Sequence, residues 1–311
     1  MFSTLSCGGM AGSDCSVSLS SLLCQEEACF DDDEEEEEEE NERFLSIEDL
    51  GLLETEDEYI EILVSKERSF GSESSGSSDD FSTENWLKCA RLDAVRWILE
   101  TRAFFGFSFQ TAYLSIFYLD RFLSKRPIDQ SGKYWAIRLL SVACLSLAAK
   151  MEECRVPALS EFRTEDFEFE NQVIQRMELL VLSTLDWRLS SVTPFAYLNY
   201  FISKLSEKSR PKTLVLRAME LILATTEVMD LVNHRPSAIA AAAVLVASDQ
   251  SLPSTSGDFK MGVISLCGCL ENKHVFSCYN LMRELEERKL NMHNLVASIY
   301  AIPANGDVLD D

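Results

Sequence analysis

The chain has 311 residues, a formal net charge of −24 and 46% hydrophobic residues. The acidity is concentrated: residues 1–80 carry 25 acidic and 3 basic side chains, residues 81–311 carry 27 and 25. A nearly neutral folded part lacks the basic surface that nucleic acid requires, and its apolar runs fall short of the roughly 20 residues that span a bilayer. The ten cysteines form no regular framework. There is no CxxC, and Cys267-Gly-Cys269 has the wrong spacing for a zinc knuckle, so free thiols in a reducing compartment are expected. No basic segment followed by an apolar stretch opens the sequence, so no secretory signal is expected.

Residues 1–80 are expected to be a disordered acidic tail. They are rich in Ser, Gly, Asp and Glu and contain no proline, and Asp31–Glu40 is an unbroken acidic run that repels itself. The apolar-acidic patch Phe44–Val64 suffices for a transient helix, and Phe70–Ser82 reads as a linker. Helical patterning starts near Asn85. A first helix is predicted over Asn85–Phe104, and a second over Ser108–Ser124 with Ser108 as N-cap. The third, Tyr134–Met151, is apolar on every face and roughly 25 Å long. A helix apolar all round is the hub of a helical core once a membrane span is excluded. Pro157 restricts Val156 and ends this helix. A short helix is predicted at Leu159–Arg163 and a fifth at Glu170–Leu185, with Val173, Met177, Leu180, Val181 and Thr184 at the 3.6 period.

The pattern then restarts. Thr193-Pro194 reads as an N-cap followed by proline at the first helical position. Helices are predicted over Pro194–Leu205, Lys212–Met229, Pro236–Asp249, Gly257–Cys267 and Lys273–Leu290. The Ala-rich stretch from Ser237 to Asp249 is a second hub, suggesting a duplicated five-helix unit. No alternating run bounded by hairpin turns is present, so the fold class is all-α.

Three groups of residues stand out. Glu178 lies on an apolar flank with Ile174, Val181 and Leu182, where a carboxylate is costly unless a cation or a donor meets it. Lys150, at the polar end of the hub, is the natural partner. An inconsequential surface pair worth about 0–1 kcal/mol fits the same spacing. In Leu22-Leu23-Cys24-Gln25-Glu26, an extended chain points Leu22, Cys24 and Glu26 to one side: an apolar pair with an anion, suited to a groove. Ser77-Ser78-Asp79-Asp80 has the form of an acidophilic phosphorylation site, although a plain spacer is the simpler reading. Enzyme chemistry finds no foothold. The chain has three histidines and one Glu-x-x-His, Glu271–His274, where a di-metal bundle needs two. It has no glycine-rich phosphate loop and no Ser/His/Asp arrangement, so no catalytic residue, metal site or cofactor is expected.

Segments 91–101 (RLDAVRWILET), 118–123 (YLDRFL), 145–153 (LSLAAKMEE) and 174–187 (IQRMELLVLSTLDW) resemble the cyclin box in order and spacing, most strongly that of plant D-type cyclins. Arg91, Asp120, Leu139, Lys150 and Glu178 match the family's hallmark positions. The resemblance implies a disordered acidic tail bearing the LxCxE motif (1–80), an N-terminal cyclin box (81–190), a C-terminal cyclin-like domain (191–292) and a C-terminal tail (293–311). It implies that Lys150, Met151, Glu153 and Glu178 contact a cyclin-dependent kinase, and that Arg91 and Asp120 form an internal salt bridge. It implies that Leu22, Cys24 and Glu26 bind a retinoblastoma-related pocket protein. The chain would then be a regulatory subunit, not an enzyme. It would activate a Ser/Thr kinase at G1/S entry in the nucleus, with some in the cytoplasm, and bind neither nucleic acid nor membrane. The family's docking patch for linear substrate motifs reads Ala90-Arg91-Leu92-Asp93-Ala94 here, smaller and more polar than in many cyclins, so weak docking is expected although Trp97 remains. Two alternatives stay open: a cyclin-like adaptor that binds a kinase without activating it, and a TFIIB-like transcription adaptor. The latter should carry a basic surface and a zinc ribbon, and neither is found.

Overall fold

The computed structural model describes residues 56–68, 81–126, 128, 133–164, 167–205, 212–228, 231–251 and 272–300. Every regular element among them is helical. The first is α1, Glu56–Arg68, and it corrects the expectation of disorder throughout 1–80. Ile60, Leu63 and Val64 share one face of α1 and are buried. Their spacing of three and four residues gives this acidic segment an apolar stripe that can dock. The predicted disorder before residue 56 and over 69–80 lies outside the described residues.

The helices α2 (Phe81–Phe105), α3 (Phe109–Lys125), α4 (Tyr134–Glu152) and α5 (Asn171–Thr184) build the first half. Gly106, at φ +69, ends α2, and the Phe107 N–H closes back on the Arg102 carbonyl at 3.0 Å. That is a left-handed stop which glycine adopts without strain. Ser108 caps α3, its hydroxyl accepting from the Thr111 N–H at 3.2 Å. The hub is α4, buried from Ala136 through Ala149 against α2, α3 and α5. Its length and composition alone would pass for a membrane span, but two-thirds of that window (67%) is buried inside the fold. At about 1.5–3 kcal/mol per fully buried large aliphatic side chain, this helix anchors the domain.

The helix predicted at Leu159–Arg163 is a single 3₁₀ turn, Leu159–Glu161. It stops because Phe162 turns into the core against Phe105, with ring centroids 5.3 Å apart. The second half comprises α6 (Phe195–Leu205), α7 (Lys212–Thr226), a 3₁₀ turn at Leu231–Asn233, α8 (Pro236–Ser251) and α9 (Asn272–Tyr300). Buried Ala238–Ala247 makes α8 the second hub, packed by α6, α7 and α9. Two details differ from expectation. The Thr193 hydroxyl lies 3.5 Å from Gln110 Oε1 across the fold instead of capping α6. And α9 runs to Tyr300, past the predicted end at Leu290, because neither glycine nor proline interrupts it before Pro303. The helix predicted at 257–267 lies outside the described residues.

Polar contacts fasten the halves together. On α2, Arg91 grips Asp120 of α3 with two bonds, Nε–Oδ1 at 2.6 Å and Nη2–Oδ2 at 2.7 Å. Its third nitrogen, Nη1, donates to the Thr226 carbonyl at the end of α7 at 3.0 Å, while Asp120 accepts the Leu231 N–H at 3.2 Å. The pair therefore joins four elements across both halves. A second lock holds α1. The Glu67 carboxylate accepts from Ser237 N–H (3.1 Å), Ser237 Oγ (2.7 Å) and the Tyr197 hydroxyl (3.1 Å). Ser237 lies in the first turn of α8, so this anion also meets the positive end of the second hub. At the other end of α1, Asp57 meets Tyr200 at 2.8 Å and Lys204 at 3.1 Å.

Candidate functional site

The last turn of α4 carries Lys150 out of the core, and α5 carries Glu178 to meet it. Lys150 Nζ donates to Glu178 Oε1 at 2.6 Å. The Glu178 side chain is 9% exposed and that of Lys150 is 43% exposed. Ile174 and Val181, one turn to either side of Glu178, are fully buried and make the apolar flank that the carboxylate crosses. The lysine thus covers an anion set into apolar surface. A half-exposed pair of this kind contributes about 0–1 kcal/mol to the fold. Its value lies in the fixed position of the two charges.

Exposed apolar side chains surround this pair in sequence. Met151 follows Lys150, and Leu179 follows Glu178; Val156 and Trp187 close the loop after α4 and the end of α5. Trp187 is 68% exposed. Isolated exposed apolar residues are ordinary, but Met151 and Leu179, each next in sequence to a member of a preformed ion pair, have the composition of a contact surface.

Glu153 is engaged elsewhere. Its carboxylate accepts the Ser108 N–H at 2.9 Å and the Thr111 hydroxyl, satisfying donors at the start of α3. Beside it, Glu152 accepts from Gln110 Nε2 at 2.5 Å. Burial pushes the Glu152 carboxyl above its usual value, the Gln110 hydrogen bond opposes the rise, and the Glu153 charge adds to it. Of the four residues that resemblance assigns to kinase contact, Lys150, Met151 and Glu178 lie together, and Glu153 braces α3 against the same end of α4.

On the docking-patch surface, Ala90 and Ala94 are buried. Asp93 pairs with Arg138 at 2.7 Å, and the Arg138 guanidinium lies 5.5 Å from the Trp97 ring centroid. Trp97 Nε1 donates to the Arg163 carbonyl at 3.3 Å. An ion pair therefore lies beside Trp97 on this surface. Leu22, Cys24 and Glu26 lie outside the described residues, as does Ser77–Asp80. No group of three or more His, Cys, Asp or Glu side chains with metal-binding geometry occurs among the described residues. Among the described residues, Cys89, Cys144, Cys154 and Cys278 form no disulfide, and burial raises the thiol pKa of Cys144.

Sequence reasoning missed the exposure of Leu179 and Trp187. For Leu179 the signal was available: it falls off the α5 core stripe of Ile174, Glu178 and Val181. It also missed the Glu67 lock.

Two helical halves, each wound about a buried apolar helix and the first presenting a lysine–glutamate pair at its hub's end, define a cyclin-type protein. The family description of the cyclin N-terminal domain matches residues 59–190, and that of the C-terminal domain matches 192–304. The chain belongs to the cyclin family. Its sequence is similar to plant D-type cyclins. It is 47% identical over 202 residues to Cyclin-D5-1 of Oryza sativa subsp. japonica, covering 64% of this chain and 55% of that protein. It is 47% identical over 213 residues to Cyclin-D5-1 of Arabidopsis thaliana, covering 64% and 65%. The chain thus spans between half and two-thirds of the length of these relatives. In fold it resembles a viral cyclin from herpesvirus saimiri, with a TM-score of 0.54 at 15% identity, covering 73% of this chain and 93% of that one.

Proposed function

We propose that this chain is a D-type cyclin acting as regulatory subunit of a cyclin-dependent Ser/Thr kinase. It activates the kinase through the Lys150–Glu178 face and, through Leu22, Cys24 and Glu26, delivers it to a retinoblastoma-related pocket protein at G1/S entry in the nucleus. The observation that carries this reading is the preformed 2.6 Å Lys150–Glu178 pair beside exposed Met151 and Leu179. A kinase is active only when its helix-C glutamate pairs with the strand-three lysine. A partner that binds the in-position helix better than the swung-out one shifts that population. Moving it from 1:99 to 99:1 takes about 5.5 kcal/mol of differential binding. One half-exposed ion pair falls well short. Covering exposed apolar side chains at about 1.5–3 kcal/mol each is of the required order. The charges then set register, and the apolar contact supplies most of the energy.

The experiment is reconstitution of the full chain with candidate plant cyclin-dependent kinases, measuring binding and histone or pocket-protein phosphorylation together. Saturable binding with activation supports the reading. Binding without activation makes the chain a non-activating adaptor, and absence of both refutes the assignment. The targeting half is tested separately. Peptide 18–32 should bind a pocket domain saturably, and Cys24→Gly should weaken pocket-protein capture by the full chain while sparing the kinase.

A further inference from the structure

The segment after α5 holds two consecutive non-glycine residues in the left-handed region, Asp186 at φ 55 and Trp187 at φ 58. The first is accounted for by the helix stop. The Trp187 N–H reaches back to the Leu182 carbonyl at 2.9 Å and the Asp186 N–H to that of Ser183 at 3.3 Å, which requires one left-handed residue. Aspartate is among the few side chains that accept that conformation. The second is surplus. A bulky aromatic with positive φ is a genuine outlier, and such residues persist only where the surroundings over-determine them.

The surroundings are on α3. Lys125 Nζ holds Asp186 Oδ2 at 2.8 Å. Arg121 Nη1 holds the Arg188 carbonyl at 2.7 Å, and the Tyr118 hydroxyl donates to the Leu189 carbonyl at 3.2 Å. The residues before and after Trp187 are thus tied down from one ridge, while the indole stays 68% exposed. Leu182, whose carbonyl receives Trp187, lies one turn beyond Glu178 on the same face of α5. The exposed ring therefore stands on the turn that ends the Glu178 helix, nine residues beyond Glu178.

We propose that Lys125 and Arg121 are positioning residues that clamp the Asp186–Trp187 turn in its left-handed form and so present the Trp187 indole to the partner kinase. This rests on the kinase-binding reading above. Neither α3 side chain needs to touch the partner; each acts through the turn.

The test uses the full chain, a cyclin-dependent kinase that it binds, and 5-fluorotryptophan labelling with the Trp187 resonance assigned by Trp187→Phe. Lys125→Met is expected to move or broaden the Trp187 fluorine signal and to weaken kinase binding about tenfold, with helical circular dichroism unchanged. Lys125→Arg, which keeps the charge, should restore both. In an Asp186→Gly background, where the tether is already absent, Lys125→Met should add nothing. Three results separate the failures. If Trp187→Ala binds the kinase as wild type does while Lys150→Glu does not, the inference falls and the reading stands; if neither variant changes binding, both fall. If Trp187→Ala weakens binding but Lys125→Met changes neither signal nor affinity, the inference alone is overturned.

Discussion

Replacing Arg91 by alanine removes the node that ties the two halves together. The Asp120 side chain is 3% exposed and Arg91 donates two charge-assisted bonds to it. Without them Asp120 keeps the Leu231 N–H at 3.2 Å, and the Thr226 carbonyl loses a donor. Leaving a buried charge without its partner costs about 3–5 kcal/mol. Against a total stability of about 5–15 kcal/mol, that is about a fifth or more of the whole. At about 2–4 °C per kcal/mol for a chain of this size, the melting temperature should fall by about 6–20 °C. Urea titration followed by circular dichroism, with a thermal scan beside it, measures both quantities. Arg91→Lys should fall between, because a lysine cannot make the two parallel bonds. The double variant Arg91→Met/Asp120→Leu should recover much of the loss, since no charge is then stranded. Arg91→Ala within about 1 kcal/mol of wild type would refute the view that the pair is a buried junction.

Other predictions are local. Glu67→Ala strands the Ser237 and Tyr197 donors, so α1 should open about 3 kcal/mol more easily. Amide exchange at Ile60–Val64 should then accelerate about a hundredfold, with slower exchange retained in α4. Glu152 has a raised folded-state pKa, so its contribution is fully present below the unfolded value and is lost as pH rises through the folded one. Glu152→Gln should therefore stabilise the chain at pH 7 relative to wild type and flatten its stability above about pH 4.3, read from melting temperature against pH. Gly106→Ala should cost about 1 kcal/mol through its φ of +69 alone, because no atom lies within 4 Å of the added methyl group; urea midpoints report it.

Much of the first half was legible because its signals are local. The extent of α5, the Ser108 cap and the all-apolar hub all act within a few residues of where they are read, although of the five positions read as the α5 stripe only Val181 is fully buried, beside Ile174 and Glu178. Glu178 was legible for the same reason, since its own helix supplies the apolar flank. What escaped depends on partners far away in sequence. Glu67 reads as one more acid in an acidic segment until Ser237, 170 residues on, is brought to it. Glu153 reads as surface until the start of α3 arrives. The turn at Asp186–Trp187 escaped because it lacks the glycine that marks a left-handed stop, its geometry being held instead by α3.

The Lys150–Glu178 face is the proposed place where a kinase is captured and switched on. Its most direct test is kinase activation, with binding measured in parallel, by wild type, Lys150→Glu and Glu178→Ala. Both variants should lose activation while keeping the helical circular-dichroism signal of the wild type. If both capture and activate the kinase as the wild type does, the face has been misassigned and the central claim is wrong.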